Sequence, residues 1–382
     1  MQAANLKKQM LMCIIGISTV GIPLGLLGPV TVILLEQVKM PTWVNGLFVT
    51  MSYLTIFLFS PITSKLINKY GIRKIFLTGM ILMLIGSVGL PVIYNLWILF
   101  LARALMGIGV TLGFVSTEVL INILSTDEKR NQNITLYIMI FSVGIAIGSS
   151  LIWTLNINQL LPYIIGFVII LLVLILSAVL LDDVKIEGHE EKKNKFQLSK
   201  FPLIGFFTAL LYGFFEASIM LVLPIYGLRT GFDSNDTTIL ITSFVVGGII
   251  VFYLLSKLYK GLQYFNYIRI TLFITMILLL SPTIINDLWL QTLLFFLLGG
   301  FIPALYSLGL SYTMNSVDKQ YTAEVNGYYS ASYGLGTLLG PMLASKLLDF
   351  DAKTTYWIFS GLLSFIILAI IHGVKYGNDK NS

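Results

Sequence analysis

Long apolar stretches separated by short polar segments run through the whole chain. Crossing the hydrocarbon core of a bilayer takes about 20 apolar residues in a helix. Each stretch is expected to be helical, because backbone groups in lipid must be hydrogen-bonded within their own segment. The pattern predicts about twelve such helices, over residues 9–35, 43–67, 75–94, 97–124, 133–155, 159–181, 201–226, 237–257, 267–286, 288–314, 321–347 and 354–373.

The composition leads to the same fold class. The chain has 382 residues, of which 57% are hydrophobic and only 11% are charged, whereas soluble proteins carry about 25% charged residues. Because a soluble protein could not cover so much apolar surface, the excess is expected to face lipid. The first apolar stretch is also too long for the core of a cleavable signal. The sequence therefore predicts an all-α polytopic membrane protein.

The Lys and Arg residues lie mainly in alternate connections between the apolar stretches. Cytoplasmic connections of membrane proteins are enriched in these residues, so both termini are expected to be cytoplasmic in a bacterial-type plasma (inner) membrane. The longest polar segment, 182–200, has six stretches on either side. It predicts an N-terminal six-helix bundle over 1–181, a cytoplasmic linker over 182–200 and a C-terminal six-helix bundle over 201–382.

The two predicted bundles repeat a short motif. Tyr137 precedes Gly144 in the fifth stretch by the same spacing that separates Tyr329 from Gly336 in the eleventh. A second glycine follows one helical turn later in each, at Gly148 and Gly340, with Pro341 after the latter. Together with the six-plus-six layout, this repeat indicates two pseudo-symmetric halves, a plan typical of secondary transporters.

Several kinds of chemistry have no support in the sequence. Cys13 is the single cysteine, so an internal disulfide is excluded. No His, Cys, Asp and Glu spacing suits a metal, and no phosphate-binding loop or nucleophile–base arrangement is present. The basic residues are too dispersed for a nucleic-acid site. We therefore expect no enzyme, no catalytic residue, no metal and no cofactor. The expected partners are the lipid bilayer and a small-molecule substrate, with the chain functional as a monomer.

Three ionisable side chains lie inside the apolar stretches: Arg103, Glu118 and Glu216. Each costs about 2.5–3.5 kcal/mol at mid-bilayer unless it is paired or wetted. Glu216 is near the middle of the seventh stretch, the depth at which secondary transporters bind solutes and ions, and is the first candidate for proton coupling. Glu118 is the second, with gating or structural pairing as the alternative. Arg103 either anchors an anionic group of the substrate or holds helices together.

Two segments resemble the major facilitator superfamily. The connection after the second stretch contains Lys69, Gly71, Arg73 and Lys74, with Asn68 where that family usually has aspartate. The fourth stretch runs from Arg103 through Gly107 and Gly109, with Met106 in place of glutamine, and the fifth resembles the family's glycine-rich antiporter motif only in part, since Ser149 replaces proline. Three further features resemble the YcaD-type branch of that family: the glutamate fifteen residues after Arg103, residues 223–227 and residues 305–310.

The resemblance implies two six-helix bundles around a central cavity lined by helices one, four, seven and ten. Polar side chains on these helices and on helix eleven are expected to contact substrate: Arg103, Thr111, Tyr212, Tyr306, Ser307, Tyr329 and Tyr333. Small, proline and basic residues are expected to serve gating: Lys69, Gly71, Arg73, Lys74, Gly107, Gly144, Gly148, Gly336, Gly340 and Pro341.

The expected function is secondary active transport of a small solute by alternating access, as proton-coupled efflux. Export is favoured because the Gly-Pro motif of the eleventh stretch and the aromatic cavity resemble efflux members. Two acidic residues against one arginine favour a cationic or zwitterionic solute. The alternatives are a lipid or glycolipid flippase of the same fold and a non-transporting membrane sensor.

Overall fold

The computed structural model describes residues 2–124, 130–182, 201–258, 264–317 and 322–381, and these ranges are helical with short connections and no strand. Short 3-10 helices occur at Leu151–Asn156 and Ser281–Thr283. The α-helices are α1 Gln2–Gln37, α2 Thr42–Tyr70, α3 Ile72–Gly89, α4 Leu96–Leu124, α5 Arg130–Ser150, α6 Leu161–Leu180, α7 Leu203–Arg229, α8 Ser234–Leu258, α9 Tyr264–Leu280, α10 Leu288–Asn315, α11 Thr322–Phe350 and α12 Thr355–Asn381. The predicted all-α fold is confirmed.

Eleven helices in the described ranges are long and apolar enough to cross a membrane. The helix outside this group is α11, because residues 322–333 contribute Thr, Asn, Ser and three tyrosines. The fifth predicted stretch, 133–155, is divided into α5 and the 3-10 helix Leu151–Asn156. The predicted tight turn between the second and third helices falls at Gly71, whose φ of 87° favours glycine.

The chain forms two compact units. The first comprises Met1–Met40 and Met51–Glu190, and the second comprises Pro41–Thr50 and Glu191–Ser382. Most of the predicted linker, 183–200, lies outside the described residues. The beginning of α2 belongs to the second unit because Arg229 Nη2 donates a hydrogen bond to Thr42 Oγ1 at 2.9 Å. Arg229 Nη1 donates to the carbonyl oxygen of Leu348, also at 2.9 Å.

Within the first unit, α1 packs closely on α5 through glycines. A Cβ atom added at Gly21 would lie 2.6 Å from the carbonyl oxygen of Phe141, and one added at Gly144 would lie 2.9 Å from that of Ser18. At Gly148 it would collide with the backbone of Ile22. Small residues allow helix backbones in membranes to approach this closely.

Within the second unit, α7 packs on α11 in the same way. A Cβ at Gly213 would collide with the carbonyl oxygen of Tyr333, and one at Gly336 with that of Leu210. At Gly340 it would lie 2.5 Å from the carbonyl oxygen of Phe214. The glycines of the sequence repeat therefore occupy equivalent helix contacts in the two units.

Candidate functional site

The Glu216 carboxyl group of the second unit is bound by tyrosine hydroxyls. Tyr333 Oη on α11 donates a hydrogen bond of 2.7 Å to Glu216 Oε2. Tyr212 also hydrogen-bonds this carboxyl group; it lies one helical turn before Glu216 on α7, and the four-residue spacing puts both side chains on the same helix face. The close α7–α11 contact at Gly213 brings Tyr333 within reach.

Three tyrosine rings surround this carboxyl group. The rings of Tyr212 and Tyr333 are stacked, with centroids 5.3 Å apart and an interplanar angle of 22°. Tyr306 on α10 has its ring centroid 4.9 Å from that of Tyr212 and 5.7 Å from that of Tyr333. All three tyrosines and Glu216 are partly exposed. We refer to Tyr212, Glu216, Tyr306 and Tyr333 as the acidic tyrosine cluster.

Tyr329 supports the cluster from the interior of the unit. It is fully buried, and its hydroxyl donates to the carbonyl oxygen of Tyr306 at 2.7 Å. The same hydroxyl lies 3.4 Å from the Thr208 hydroxyl on α7. Tyr329 is thus fixed below the cluster and is not an accessible polar group, whereas Ser307 is exposed beside Tyr306. Thr208 was not predicted from the sequence. The repeated spacing around Tyr329 was the feature that could have indicated a residue bonded to it.

The basic residues of the helices that form the cluster lie far from it along those helices. Helix α10 contains no Lys, Arg, Asp or Glu. Arg229 on α7 and Lys346 on α11 are each nearly four helical turns from Glu216 and Tyr333 respectively, about 20 Å along the helix. Among the residues that the structure describes in this unit, Glu216 bonds to tyrosines and forms no ion pair with a basic side chain.

Arg103 and Thr111 lie on α4, in the first unit. Arg103 is only 6% exposed. Its guanidinium group lies against Gly28, at 3.6 Å from the position of an added Cβ, with Tyr53 and Tyr163 within electrostatic range. Thr111 is buried and its hydroxyl donates to the carbonyl oxygen of Gly107 at 2.8 Å, within its own helix. This geometry favours the helix-holding role for Arg103, and the substrate contacts of both residues stay predictions.

Glu118, the second predicted proton-coupling residue, is exposed on α4. It lies within electrostatic range of Tyr137. Tyr137 is buried, and its hydroxyl bonds the carbonyl oxygen of Phe114 at 2.9 Å and the hydroxyl of Thr117 at 3.0 Å. The structure therefore places Glu118 on the exposed side of α4 in the first unit, near Tyr137.

The predicted gating residues fall into two groups. In the loop at Gly71, Lys69 and Lys74 are exposed. Arg73 Nη2 donates to the carbonyl oxygen of Ala178 near the C-terminal end of α6, where a cation complements the helix dipole. The other group lies in helix contacts: Gly107 against Thr55, Gly144, Gly148, Gly336 and Gly340 as described above, and Pro341 beside Gly46. Their role in gating stays a prediction.

The first unit repeats the aromatic arrangement around the acidic tyrosine cluster, but with apolar side chains at the positions equivalent to the cluster. Phe114 and Tyr137 are 23 positions apart and joined by a hydroxyl–carbonyl bond, as are Tyr306 and Tyr329. Phe141 completes the first set, with its ring 5.3 Å from that of Phe114, and is equivalent to Tyr333. The same chain offset pairs four members of the cluster with apolar residues: Tyr212 with Val20, Glu216 with Leu24, Tyr306 with Phe114, and Tyr333 with Phe141.

The described residues contain no group of three or more His, Cys, Asp or Glu side chains arranged to hold a metal ion. The acidic tyrosine cluster itself offers phenol hydroxyls, aromatic ring faces and one carboxyl group.

Two solved structures share this fold. A chain from the proton dependent oligopeptide transporters superimposes with a TM-score of 0.75 at 13% identity, covering 97% of this chain and 98% of that chain. The nucleoside transporter NupG, as its D323A mutant, superimposes with a TM-score of 0.74 at 11% identity, covering 96% and 99%. At these identities the likeness shows the fold alone.

Relatives with similar sequences are bacterial transporters. The uncharacterized MFS-type transporter YfkF of Bacillus subtilis is 24% identical over 94% of this chain and 93% of its own length. The uncharacterized MFS-type transporter YcaD of Salmonella paratyphi A is 22% identical over 95% and 94%. The profile of the Major Facilitator Superfamily matches residues 13–284 and 206–381. With this match over nearly its whole length, the chain belongs to the major facilitator superfamily of membrane transporters.

Proposed function

We propose that the protein is a secondary active transporter that exports a small solute in exchange for protons, with Glu216 as the group that takes up and releases the proton. The observation that carries this proposal is the Glu216 carboxyl group itself. It is partly exposed, it is bonded to the hydroxyls of Tyr333 and Tyr212, and it has no basic partner among the described residues of its unit.

The surroundings of Glu216 give both protonation states a means of stabilisation. An ionised carboxyl group within the bilayer costs about 2.5–3.5 kcal/mol. Hydrogen bonds from phenol hydroxyls to a carboxylate are charge-assisted and offset part of this cost. When the carboxyl group is protonated, the cost disappears and the hydrogen bonds become ordinary neutral ones. A group with two states of comparable free energy is suited to exchange a proton.

Alternating access would couple this exchange to movement of the solute. The two six-helix halves would expose the site first to one face of a bacterial plasma membrane and then to the other. The proton gradient would be the energy source, and the monomer would be the working unit, with both termini in the cytoplasm. Glu118 is the competing proton-coupling residue, because it is an acidic side chain within the apolar helix α4.

The test uses inverted membrane vesicles acidified by respiration, with a fluorescent reporter of the pH difference. Candidate solutes include organic cations, nucleosides and dipeptides. With wild-type protein, adding an exported solute should partly dissipate the pH difference. Glu216→Gln should abolish this response, since the amide carries no exchangeable proton, whereas Glu118→Gln should retain it.

A matched control removes a different tyrosine hydroxyl from α11. Tyr328→Phe alters a neighbouring tyrosine whose ring packs on Phe201, 6.0 Å away, outside the cluster, and should leave the response intact. A full response from Glu216→Gln would remove the assignment of Glu216. Proton-linked uptake in right-side-out vesicles, with no response in inverted ones, would reverse the proposed direction.

A further inference from the structure

The acidic tyrosine cluster combines two features that attract organic cations. The faces of aromatic rings carry negative electrostatic potential, and cages of such rings bind quaternary ammonium groups. Tyr212 and Tyr333 stack 5.3 Å apart, and Tyr306 is inclined to Tyr333 at 69°. The three rings therefore border the carboxyl group from more than one direction. Tyrosine rings are rigid, so little conformational entropy is lost when a ligand contacts them.

Within the part of the second unit that the structure describes, the Glu216 carboxyl group bonds to tyrosines and pairs with no Lys, Arg or His side chain. The charged residues of α7, α8 and α11 lie near helix ends: Arg229 on α7, Glu324, Lys346 and Asp349 on α11, and Asp236 and Lys257 on α8. Helix α12 contacts α7 through neutral groups, with the Tyr356 hydroxyl 2.6 Å from that of Ser218. A cationic solute would pair with the ionised carboxylate of Glu216, whereas an anionic solute would be repelled by it.

The first unit shows that the fold does not require this polarity. Its equivalent positions hold Val20, Leu24, Phe114 and Phe141, and the same helix contacts form around them. Burying polar groups costs free energy that apolar side chains avoid. The carboxyl and hydroxyl groups of the second unit are therefore best explained by a ligand that needs them.

We infer that the acidic tyrosine cluster binds organic cations carrying a tertiary or quaternary ammonium group, and that the cation and a proton occupy the Glu216 carboxyl group in alternation. The inference rests on the proposed function and names its solute class. In the empty site Glu216 is a neutral carboxylic acid. Binding breaks its O–H bond, the proton leaves to water, and the carboxylate pairs with the cation. One proton is released for each cation bound, so the charge of the occupied site is unchanged.

The experiment measures binding and proton release with purified full-length protein in detergent. Radiolabelled tetraphenylphosphonium is the cationic probe, benzyltrimethylammonium is the ammonium competitor, and tetraphenylborate is an anion of matched shape. Wild-type protein should bind the phosphonium, release about one proton per cation into weakly buffered solution, and bind more tightly as the pH rises. Tetraphenylborate should not compete.

Three variants sharpen this measurement. Glu216→Gln should weaken phosphonium binding by about tenfold or more and should remove both proton release and pH dependence. Glu216→Asp keeps the charge, so it should retain proton release. Tyr306→Leu removes one ring and should weaken binding severalfold, in the range of a cation–π contact, without changing the proton count. Phosphonium binding that survives Glu216→Gln, or equal competition by tetraphenylborate, would overturn the inference.

The two proposals fail in different ways. If uncharged solutes dissipate the pH difference through Glu216 while the phosphonium does not bind, proton-coupled transport stands and the cation class falls. If the phosphonium binds with release of one proton but no compound dissipates the pH difference, the cation site stands and the transport assignment falls. Monodisperse elution of each variant in size-exclusion chromatography would show that a loss of binding does not come from misfolding.

Discussion

The two units share one arrangement of aromatic side chains, but the side chains around it differ in polarity. In the first, the buried Tyr137 hydroxyl bonds the carbonyl oxygen of Phe114 and the Thr117 hydroxyl, and the positions equivalent to the acidic tyrosine cluster hold apolar side chains. In the second, the equivalent bond joins Tyr329 to Tyr306, and the surrounding side chains are tyrosines and a glutamate. The shared bonds and glycine contacts are features of the fold, and we attribute the added polar groups to the proposed ligand site.

This comparison locates function more narrowly than the fold does. Helices α1 and α7 are equivalent in packing, yet only α7 carries an acidic side chain at the position that faces the aromatic set. If the polarity of the second unit served folding, the first unit would be expected to need it as well. The asymmetry between the units is thus itself the strongest structural argument for a site at Glu216.

The largest effect should come from exchanging the chemistry of the two units. Leu24→Glu places a carboxyl group where Val20 and Phe141 offer no side-chain donor, so the variant should lose about 2.5–3.5 kcal/mol of stability. The double variant Glu216→Leu/Tyr333→Phe removes the acceptor together with one of its two donors, and it leaves only the partly exposed Tyr212 hydroxyl to bond elsewhere, so the change should be small. It should stay within about 1 kcal/mol of wild type. Denaturation of the purified proteins by sodium dodecyl sulfate measures both.

The contrast between these two variants matters more than either value. Glu216→Leu alone leaves the Tyr333 hydroxyl without its acceptor at Glu216, so it should be less stable than the double variant. If the double variant unfolded as readily as Leu24→Glu, the acidic tyrosine cluster would be a structural element and the comparison would no longer indicate a ligand site.

A smaller effect is expected at the glycines that hold the helix pairs together. Gly336→Ala would force a methyl group against the carbonyl oxygen of Leu210, whereas at Gly144→Ala the nearest backbone oxygen is 2.9 Å away. Overpacking of this kind costs about 1–3 kcal/mol, and the cost should be greater at Gly336. The same denaturation measurement ranks the two variants.

Helix α11 contains its own control for this ranking. An added Cβ at Gly327 has no neighbour within 4 Å, and alanine is intrinsically better than glycine in a helix by about 1 kcal/mol. Gly327→Ala should therefore be neutral or stabilising. Equal destabilisation by Gly336→Ala and Gly327→Ala would show that the loss does not come from the α7–α11 contact.

The sequence predicted the fold class well because apolar stretches in a membrane protein can form little other than helices. It also identified each member of the acidic tyrosine cluster, since Glu216 is an isolated charge in an apolar stretch and tyrosines are conspicuous beside it. The repeat at Tyr137 and Tyr329 corresponds to two equivalent hydrogen bonds, from each tyrosine hydroxyl to a backbone carbonyl oxygen. These signals are local and can be read along one helix at a time.

What the sequence could not supply was the pairing between helices. The hydrogen bond from Tyr333 to Glu216 depends on which helix packs against α7. A small residue such as Gly213 indicates a close helix contact, but the sequence does not show which helix makes it. The hydrogen bond of Thr111 could have been predicted locally, because a threonine within a helix often bonds the carbonyl four residues earlier. Its hydroxyl does so with Gly107.

The smallest effect should appear at the loops that precede α6 and α12. Before α6, Asn158 accepts a hydrogen bond from the Leu160 backbone at 2.8 Å through a neutral side chain. Before α12 the corresponding group is a carboxylate. A hydrogen bond from the Thr354 hydroxyl holds the pKa of Asp351 below its ordinary value of 3.8, and a second one from the Lys353 backbone amide adds to this effect. A lowered pKa means that the folded state favours the ionised form.

The stabilisation from Asp351 is therefore complete above about pH 3.8 and is lost as the pH falls through the lower pKa of the folded state. Because the side chain is exposed, this loss should be at most about 0.5 kcal/mol. Asp351→Asn gives the second unit the neutral group of the first and should remove that pH dependence. Comparing the unfolding of the variant and wild type at about pH 5 and pH 3 isolates the contribution, because all other titrating groups are shared. An identical pH dependence in the two proteins would mean that the hydrogen bonds at this loop do not distinguish the folded from the unfolded carboxylate.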